Sequence, residues 1–289
     1  MADGACPNCA APAAAGAAEC PACGVIFAKW AKKAVPVQAK CRELTPRQAV
    51  VIPGAAFALA GALAWSAPGR FFIQAGLAMQ VHELGHALVS WLGGRFAVPL
   101  PMITLSFSHD RSLAFGLAVT AALAWTAAIA WDQDCGALAA LGGVLLIFQA
   151  ALSLLMRPDA LDFWVAFGGL GGECVLSALL IILYFHPLPR AARWPAYRAV
   201  FLFIGACVLA SSLRRWRDAD SDFMNVPWGS FFGGDGDVEA MIGGGWTVNA
   251  LVKVYLRMAW ICAAAAGAAW ASAAWKFRGL WTRPAELLD

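Results

Sequence analysis

From Val50 onward the chain is a succession of apolar stretches, at 50–67, 71–92, 113–131, 137–156, 163–185, 196–213 and 256–275. Each is close to the roughly 20 residues that a helix needs to cross a bilayer. No other feature narrows the fold as far. Hydrophobic residues make up 61% of the chain and charged residues 13%, against about 25% charged in an ordinary soluble domain. So little polar surface cannot cover a water-soluble core, whereas a bilayer takes up the apolar surface directly. The expected fold is an all-α membrane protein, a multi-spanning helical bundle of about seven spans, with the lipid bilayer as its first partner.

Three regions follow. Residues 1–30 hold a small cysteine module, 31–48 a basic linker and 49–289 the polytopic domain. Lys29, Lys32, Lys33, Lys40, Arg42 and Arg47 precede the first apolar stretch. They suit the anionic cytoplasmic face of a membrane and the positive-inside rule. No secretory signal opens the chain, so the N-terminus is expected in the cytoplasm, with the nine cysteines reduced. Arg95, Arg157, Arg214, Arg215 and Arg217 fall on the same side under this topology, and Asp132 and Asp134 fall outside. Arg190, Arg193, Lys276 and Arg278 do not follow the pattern. A formal net charge of +3 implies no nucleic-acid partner. Residues 96–108, interrupted by Pro99 and Pro101, read as a re-entrant or interfacial hairpin, and 214–250 as a polar loop at the membrane surface near a site.

The second apolar stretch contains His82-Glu83-Leu84-Gly85-His86. Residues four apart lie on one helical face, so the two histidines form a ready pair of ligands for one metal ion. Glu83 follows the first ligand and can reach a metal-bound water, whose pKa zinc lowers from 15.7 to about 7. It can take that proton and pass it to a leaving amine. A chance match to so short a pattern is the bland alternative. It is weakened because a charge inside a span costs about 3 kcal/mol and usually marks function. Catalytic zinc takes three protein ligands and keeps one position open. Four carboxylates compete for the third place: Glu173 in a glycine-rich span, and Asp222, Asp235 and Asp237 in the late polar segment. Glu173 can instead hydrogen-bond between packed helices, Asp237 can cap a short helix, and Asp222 can be a solvated loop acid.

These residues resemble the site-2 protease class of intramembrane zinc metallopeptidases, and within it the compact bacterial peptidase-like branch. The apolar stretch around His82–Ala87, the following Gly93-Gly94-Arg95-Phe96, the glycine-rich span at 168–172 and a late acidic motif before the final helix carry the likeness. The resemblance implies a catalytic zinc held by His82, His86 and a downstream aspartate, best matched by Asp237 with Asp235 next, and Glu83 as the catalytic acid–base. It also implies a bacterial inner-membrane location and a membrane-protein or peptide substrate. The Leu-Asp-Gly motif of better-known members is absent, with Gly234-Asp235-Gly236 as an echo.

Cys6-Pro7-Asn8-Cys9 and Cys20-Pro21-Ala22-Cys23 are matching knuckles. Two Cys-x-x-Cys loops make a tetrahedral four-thiolate site, and a unit this small draws its folding energy from the metal. A redox pair is the alternative. The expected cofactors are thus one catalytic and one structural Zn2+. The leading function is an intramembrane zinc metalloprotease. The alternative is a non-catalytic membrane scaffold or sensor whose zinc ribbon recruits a cytoplasmic partner, favoured by the missing Leu-Asp-Gly motif. A transporter with a metal in its pathway ranks third.

Overall fold

The structure is a computed structural model and describes residues 6, 8, 9, 11, 12, 17–27, 44–107, 109–189, 195–229 and 236–278. The chain divides into two compact units, Met1–Glu43 and Leu44–Asp289.

In the first unit the two knuckles face one another. The amides of Asn8 and Ala22 each donate to the sulfur of the first cysteine of their own knuckle, at 3.4 Å. An antiparallel bridge joins Glu19 to Ile26, and Phe27 packs on the buried Cys6 and Cys20. With Ala17 and Val25 packed against them, these make up the core among the described residues, too small to hold the unit together by apolar burial alone.

The second unit is an all-α, multi-span bundle. Helix α1 (Pro46–Trp65) starts inside the stretch read as basic linker: Thr45 caps it and Gln48 answers in a capping box. Ser66 turns the chain into α2 (Ala67–Phe72), a π-helical turn (Ile73–Ala78) and α3 (Met79–Leu92). The segment carrying both histidines is therefore helical throughout, but in three joined pieces. A short hairpin follows, β1 (Ala97–Pro99) antiparallel to β2 (Thr104–Ser106), with Pro99 opposite Thr104. Helices α4 (Leu113–Asp132), α5 (Gly136–Ala150), α6 (Pro158–Tyr184), α7 (Pro195–Ser221), α8 (Asp237–Gly243) and α9 (Val248–Lys276) complete the unit. A second π-helical turn, Ala151–Leu155, extends α5.

Among the described residues, six helical segments are long and apolar enough to cross a membrane: Pro46–Trp65, Leu113–Asp132, Gly136–Leu155, Pro158–Tyr184, Tyr197–Ser221 and Val248–Lys276; the expected span at 71–92, divided by the π-helical turn, is not one of them. α6 is the most enclosed of them. α4 and α5 leave most of their surface exposed, as lipid-facing helices do.

Two expectations change. The polar interruption from 214 is not a loop throughout, since α7 continues to Ser221. Its arginines are paired inward: Arg214 donates to the Ala64 carbonyl at 2.7 Å and Arg215 to Glu173 at 3.0 Å. Hydropathy places the end of a span at the first charges and cannot see that they have partners. Likewise α9 starts at Val248, eight residues before the expected 256, with Thr247 as its cap.

The hairpin at 97–106 is stapled to α3. Trp91 donates its indole N–H to the Ala97 carbonyl at 2.7 Å. The chain leaves α3 through Gly94 at φ +77°, a left-handed conformation that suits glycine. The buried Arg95 then pairs with Asp162 at the start of α6.

Aromatic stacking fixes the other side of α6. Phe167, Tyr255 and Trp216 form a column with ring centroids 4.8 and 4.5 Å apart, tying α6 to α9 and α7. At the far end Tyr184 donates to the Gln48 carbonyl at 2.6 Å, closing α6 on α1.

Candidate metal centre

α3 and α6 cross at backbone contact. A Cβ on Gly85 would lie 2.2 Å from the Gly168 carbonyl oxygen, and one on Gly172 would lie 2.8 Å from Gly85 Cα. The Gly168-x-x-x-Gly172 spacing puts both glycines on the face that meets Gly85, the small-residue approach that membrane helices use. This crossing carries His82 and His86 to the glycine-rich wall of α6. Gly169 stands against them: a Cβ there would be 2.4 Å from His86 Nε2 and 2.8 Å from Asp237 Oδ2.

Each imidazole is fixed through Nδ1. His86 Nδ1–H donates to the Val165 carbonyl at 2.7 Å, and His82 Nδ1–H to Glu173 Oε1 at 3.2 Å. Both Nε2 lone pairs are thereby turned toward one point. They lie 3.1 Å apart, and Asp237 Oδ2 sits 3.0 Å from His82 Nε2 and 3.2 Å from His86 Nε2. Three lone-pair donors this close repel one another unless a metal ion or a shared proton lies among them. Bonds of the length zinc makes to nitrogen and oxygen put tetrahedral ligand atoms about 3.3 Å apart. The three separations are close to that value, so the donor set fits a small divalent ion. Among the described residues no fourth His, Cys, Asp or Glu joins the three.

The four candidates for the third position are placed differently. Asp237 joins the histidines from the first turn of α8. Its carboxylate does not cap that helix: Asp237 is the first helical residue, and Gly236 holds the cap position, where its amide donates to Glu239 Oε2 at 2.8 Å. Glu173 stands behind His82 rather than beside its Nε2. Asp222 is exposed and accepts from the Met224 amide at 3.0 Å, capping the 3-10 turn Phe223–Asn225. Asp235 lies outside the described residues.

Glu83 is buried, and Thr104 Oγ1 donates to its carboxylate, the Oγ1–Oε2 distance being 2.7 Å. The same hydroxyl lies 2.8 Å from the Glu83 carbonyl oxygen. A cavity of about 690 Å3 opens on the histidines, Glu83 and Asp237, walled by the hairpin residues Met102 and Thr104 and by Asn225 and Trp228. Among the described residues, the charged groups lining it are Glu83, Glu173, Asp237 and Arg215. Three carboxylates against one guanidinium leave two net negative charges, which one divalent cation neutralises.

Two parts of this centre were not anticipated. Thr104 carried no signal beyond its place in a proline-rich hairpin. Arg215 looked like one member of a cytoplasmic arginine run. An arginine and a glutamate both inside apolar helices are a hint that they face each other, but the pairing spans 42 residues.

The first unit holds a second cluster, Cys6, Cys9, Cys20 and Cys23, which can bind a metal ion. Cys6 and Cys23 sulfurs are 3.7 Å apart, as are those of Cys9 and Cys20. Tetrahedral bonds of the zinc–sulfur length give about 3.8 Å. The Asn8 side-chain amide donates to Cys23 Sγ at 3.5 Å and, with the Val25 backbone, lowers that thiol to about 6. Cys9 behaves oppositely. The Ala11 backbone works to lower it, but the neighbouring thiols, Cys23 first, push it up to about 12. Four sulfurs so close do not all ionise without a cation.

No family profile, curated protein or solved structure matches the chain.

Proposed function

We propose that the second unit is an intramembrane zinc metallopeptidase of the site-2 protease type, hydrolysing peptide bonds of membrane-embedded or membrane-adjacent substrates. One observation carries this reading: two imidazole nitrogens and one carboxylate oxygen converge on a point beside Glu83, with a cavity on the open side. Three protein ligands and an open position are the mark of a catalytic rather than a structural zinc site. His82, His86 and Asp237 would hold the ion, which when bound supplies Lewis acidity toward water and a carbonyl oxygen.

The chain's own groups do the rest. Glu83 accepts a proton from the attacking water as the new C–O bond forms. It returns that proton to the amine nitrogen as the C–N bond breaks, so no net proton is taken up. Thr104 holds the Glu83 carboxylate in the cavity and leaves Oε1 for this exchange. α3 continues nine residues past Glu83 to Leu92, a rise of about 14 Å, so the chemistry takes place well inside the helix rather than at its end.

The first unit is proposed as a zinc ribbon that docks a cytoplasmic partner. The basic run before α1 supports a cytoplasmic N-terminus and an inner-membrane location in a bacterium.

The test is hydrolysis by the full chain in lipid vesicles, against a panel of tagged single-span proteins. Glu83→Gln should retain its metal and lose about 10²- to 10⁴-fold in cleavage rate, the usual worth of a general acid–base. Cleavage by this variant at the wild-type rate would overturn the mechanism.

A further inference from the structure

Glu173 is 2% exposed, in the middle of α6, a helix long and apolar enough to span a membrane. An ionised carboxylate at such a position costs several kcal/mol unless it is compensated. Two groups compensate it, and both reach the same oxygen. His82 Nδ1–H and Arg215 Nη1 each donate to Oε1, at 3.2 and 3.0 Å. Oε2 is buried and has no hydrogen-bond partner among the described residues. A carboxylate kept only to join helices would be expected to use both oxygens. Here a single oxygen takes both contacts, and one of the two is the outer nitrogen of His82.

The two imidazoles are consequently unlike. His86 leans on a neutral backbone carbonyl and His82 on a charged carboxylate. A carboxylate behind an imidazole fixes its tautomer and ring direction and raises the basicity of the far nitrogen. Arg215 Nη1 fixes the same oxygen, Oε1, from the other side, reaching in from α7. Arg215 also lines the cavity, so its charge stands against the three carboxylates there.

We propose that Glu173, held by Arg215, is the positioning residue of the metal centre, orienting His82 and setting how tightly the site grips its ion. This rests on the reading of His82, His86 and Asp237 as metal ligands, and it places the support of that site on two helices, α6 and α7, that donate no ligand. Neither residue touches a substrate or reacting atom through this contact.

The experiment measures zinc bound to the purified full chain in lipid nanodiscs, by elemental analysis and by competition with a chelator of known affinity. Wild type should hold two ions per chain. Glu173→Gln, which keeps the shape and loses the charge, should weaken the second ion 10- to 100-fold while the first is unchanged. Arg215→Lys, which keeps the charge, should recover most of the affinity that Arg215→Gln loses.

Glu173→Gln leaves Arg215 without its partner, so the double variant Glu173→Gln/Arg215→Met removes both charges and protects the test against misfolding. It should show the same weakening. Wild-type affinity in either the single or the double variant would overturn the positioning role and leave Glu173 a helix-packing group. A wild-type chain that binds only one ion, lost on substituting the ribbon cysteines, would instead overturn the membrane site itself.

Discussion

The chain carries two candidate metal sites built on opposite plans. In the ribbon, all four sulfurs come from residues 6 to 23, and the surrounding core is little more than Phe27 on two cysteines. In the bundle, the donors come from residues 82, 86 and 237, brought together by a helix crossing, a glycine wall and a short helix late in the chain. In the first unit bound ligands would create the fold; in the bundle the fold creates the ligand set. The same ion would supply folding energy in one place and chemistry in the other.

Removing metal should separate the two plans most sharply. Structural zinc in small cysteine modules contributes about 10–16 kcal/mol of apparent binding energy. Chelation should therefore unfold residues 6–27, seen as rapid amide exchange, while the helices of the second unit keep their protection. Simultaneous loss of both would break the comparison.

Next in size is Gly169→Ala. The added methyl would sit 2.4 Å from His86 Nε2, so the imidazole must move. Zinc affinity of the bundle site should fall on the order of 100-fold, the upper end for disturbing a ligand's surroundings, with the ribbon ion retained. Thr104→Val should be milder. It removes one hydrogen bond to a carboxylate, worth about 1.5–3 kcal/mol, and should lower kcat roughly 10- to 100-fold without changing metal content. The smallest change is expected from Asn8→Ala in the ribbon. Its amide–sulfur contact is long and exposed, which holds its worth to about 1 kcal/mol, so zinc affinity should drop roughly fivefold. An effect as large as that of Gly169→Ala would mean the ribbon, too, is held by its surroundings.

What a sequence discloses about such a molecule depends on how far apart the interacting residues lie. Apolar stretches report on themselves, and the bundle of long helices could be read from them. So could the two histidines, four apart on a helix, and the paired knuckles. The bounds were less visible where charge is buried by pairing, as at Arg214 and Arg215, because hydropathy treats each arginine as solvated. The choice among Glu173, Asp222, Asp235 and Asp237 was beyond local reading. Asp237 lies 155 positions from His82, and only the packing of α8 against α6 brings its carboxylate to the imidazoles. Thr104 and Gly169 gave no sign of their places, since a hydroxyl and a missing methyl take their meaning from what stands opposite.

The π-helical turn at Ile73–Ala78 re-aims the helix that follows it. Each residue of an α-helix advances the side-chain direction by about 100°, and a π turn accommodates an extra residue within the helix. Phe71 and Phe72 before it are exposed, and Ile73 is fully buried. The wide turn therefore acts as a phase shifter: it lets one continuous rod show exposed aromatic rings before the turn and imidazoles to the interior after it. Deleting a single residue there, far from any ligand, would swing His82 and His86 by roughly a quarter of a circle and point the pair away from Asp237.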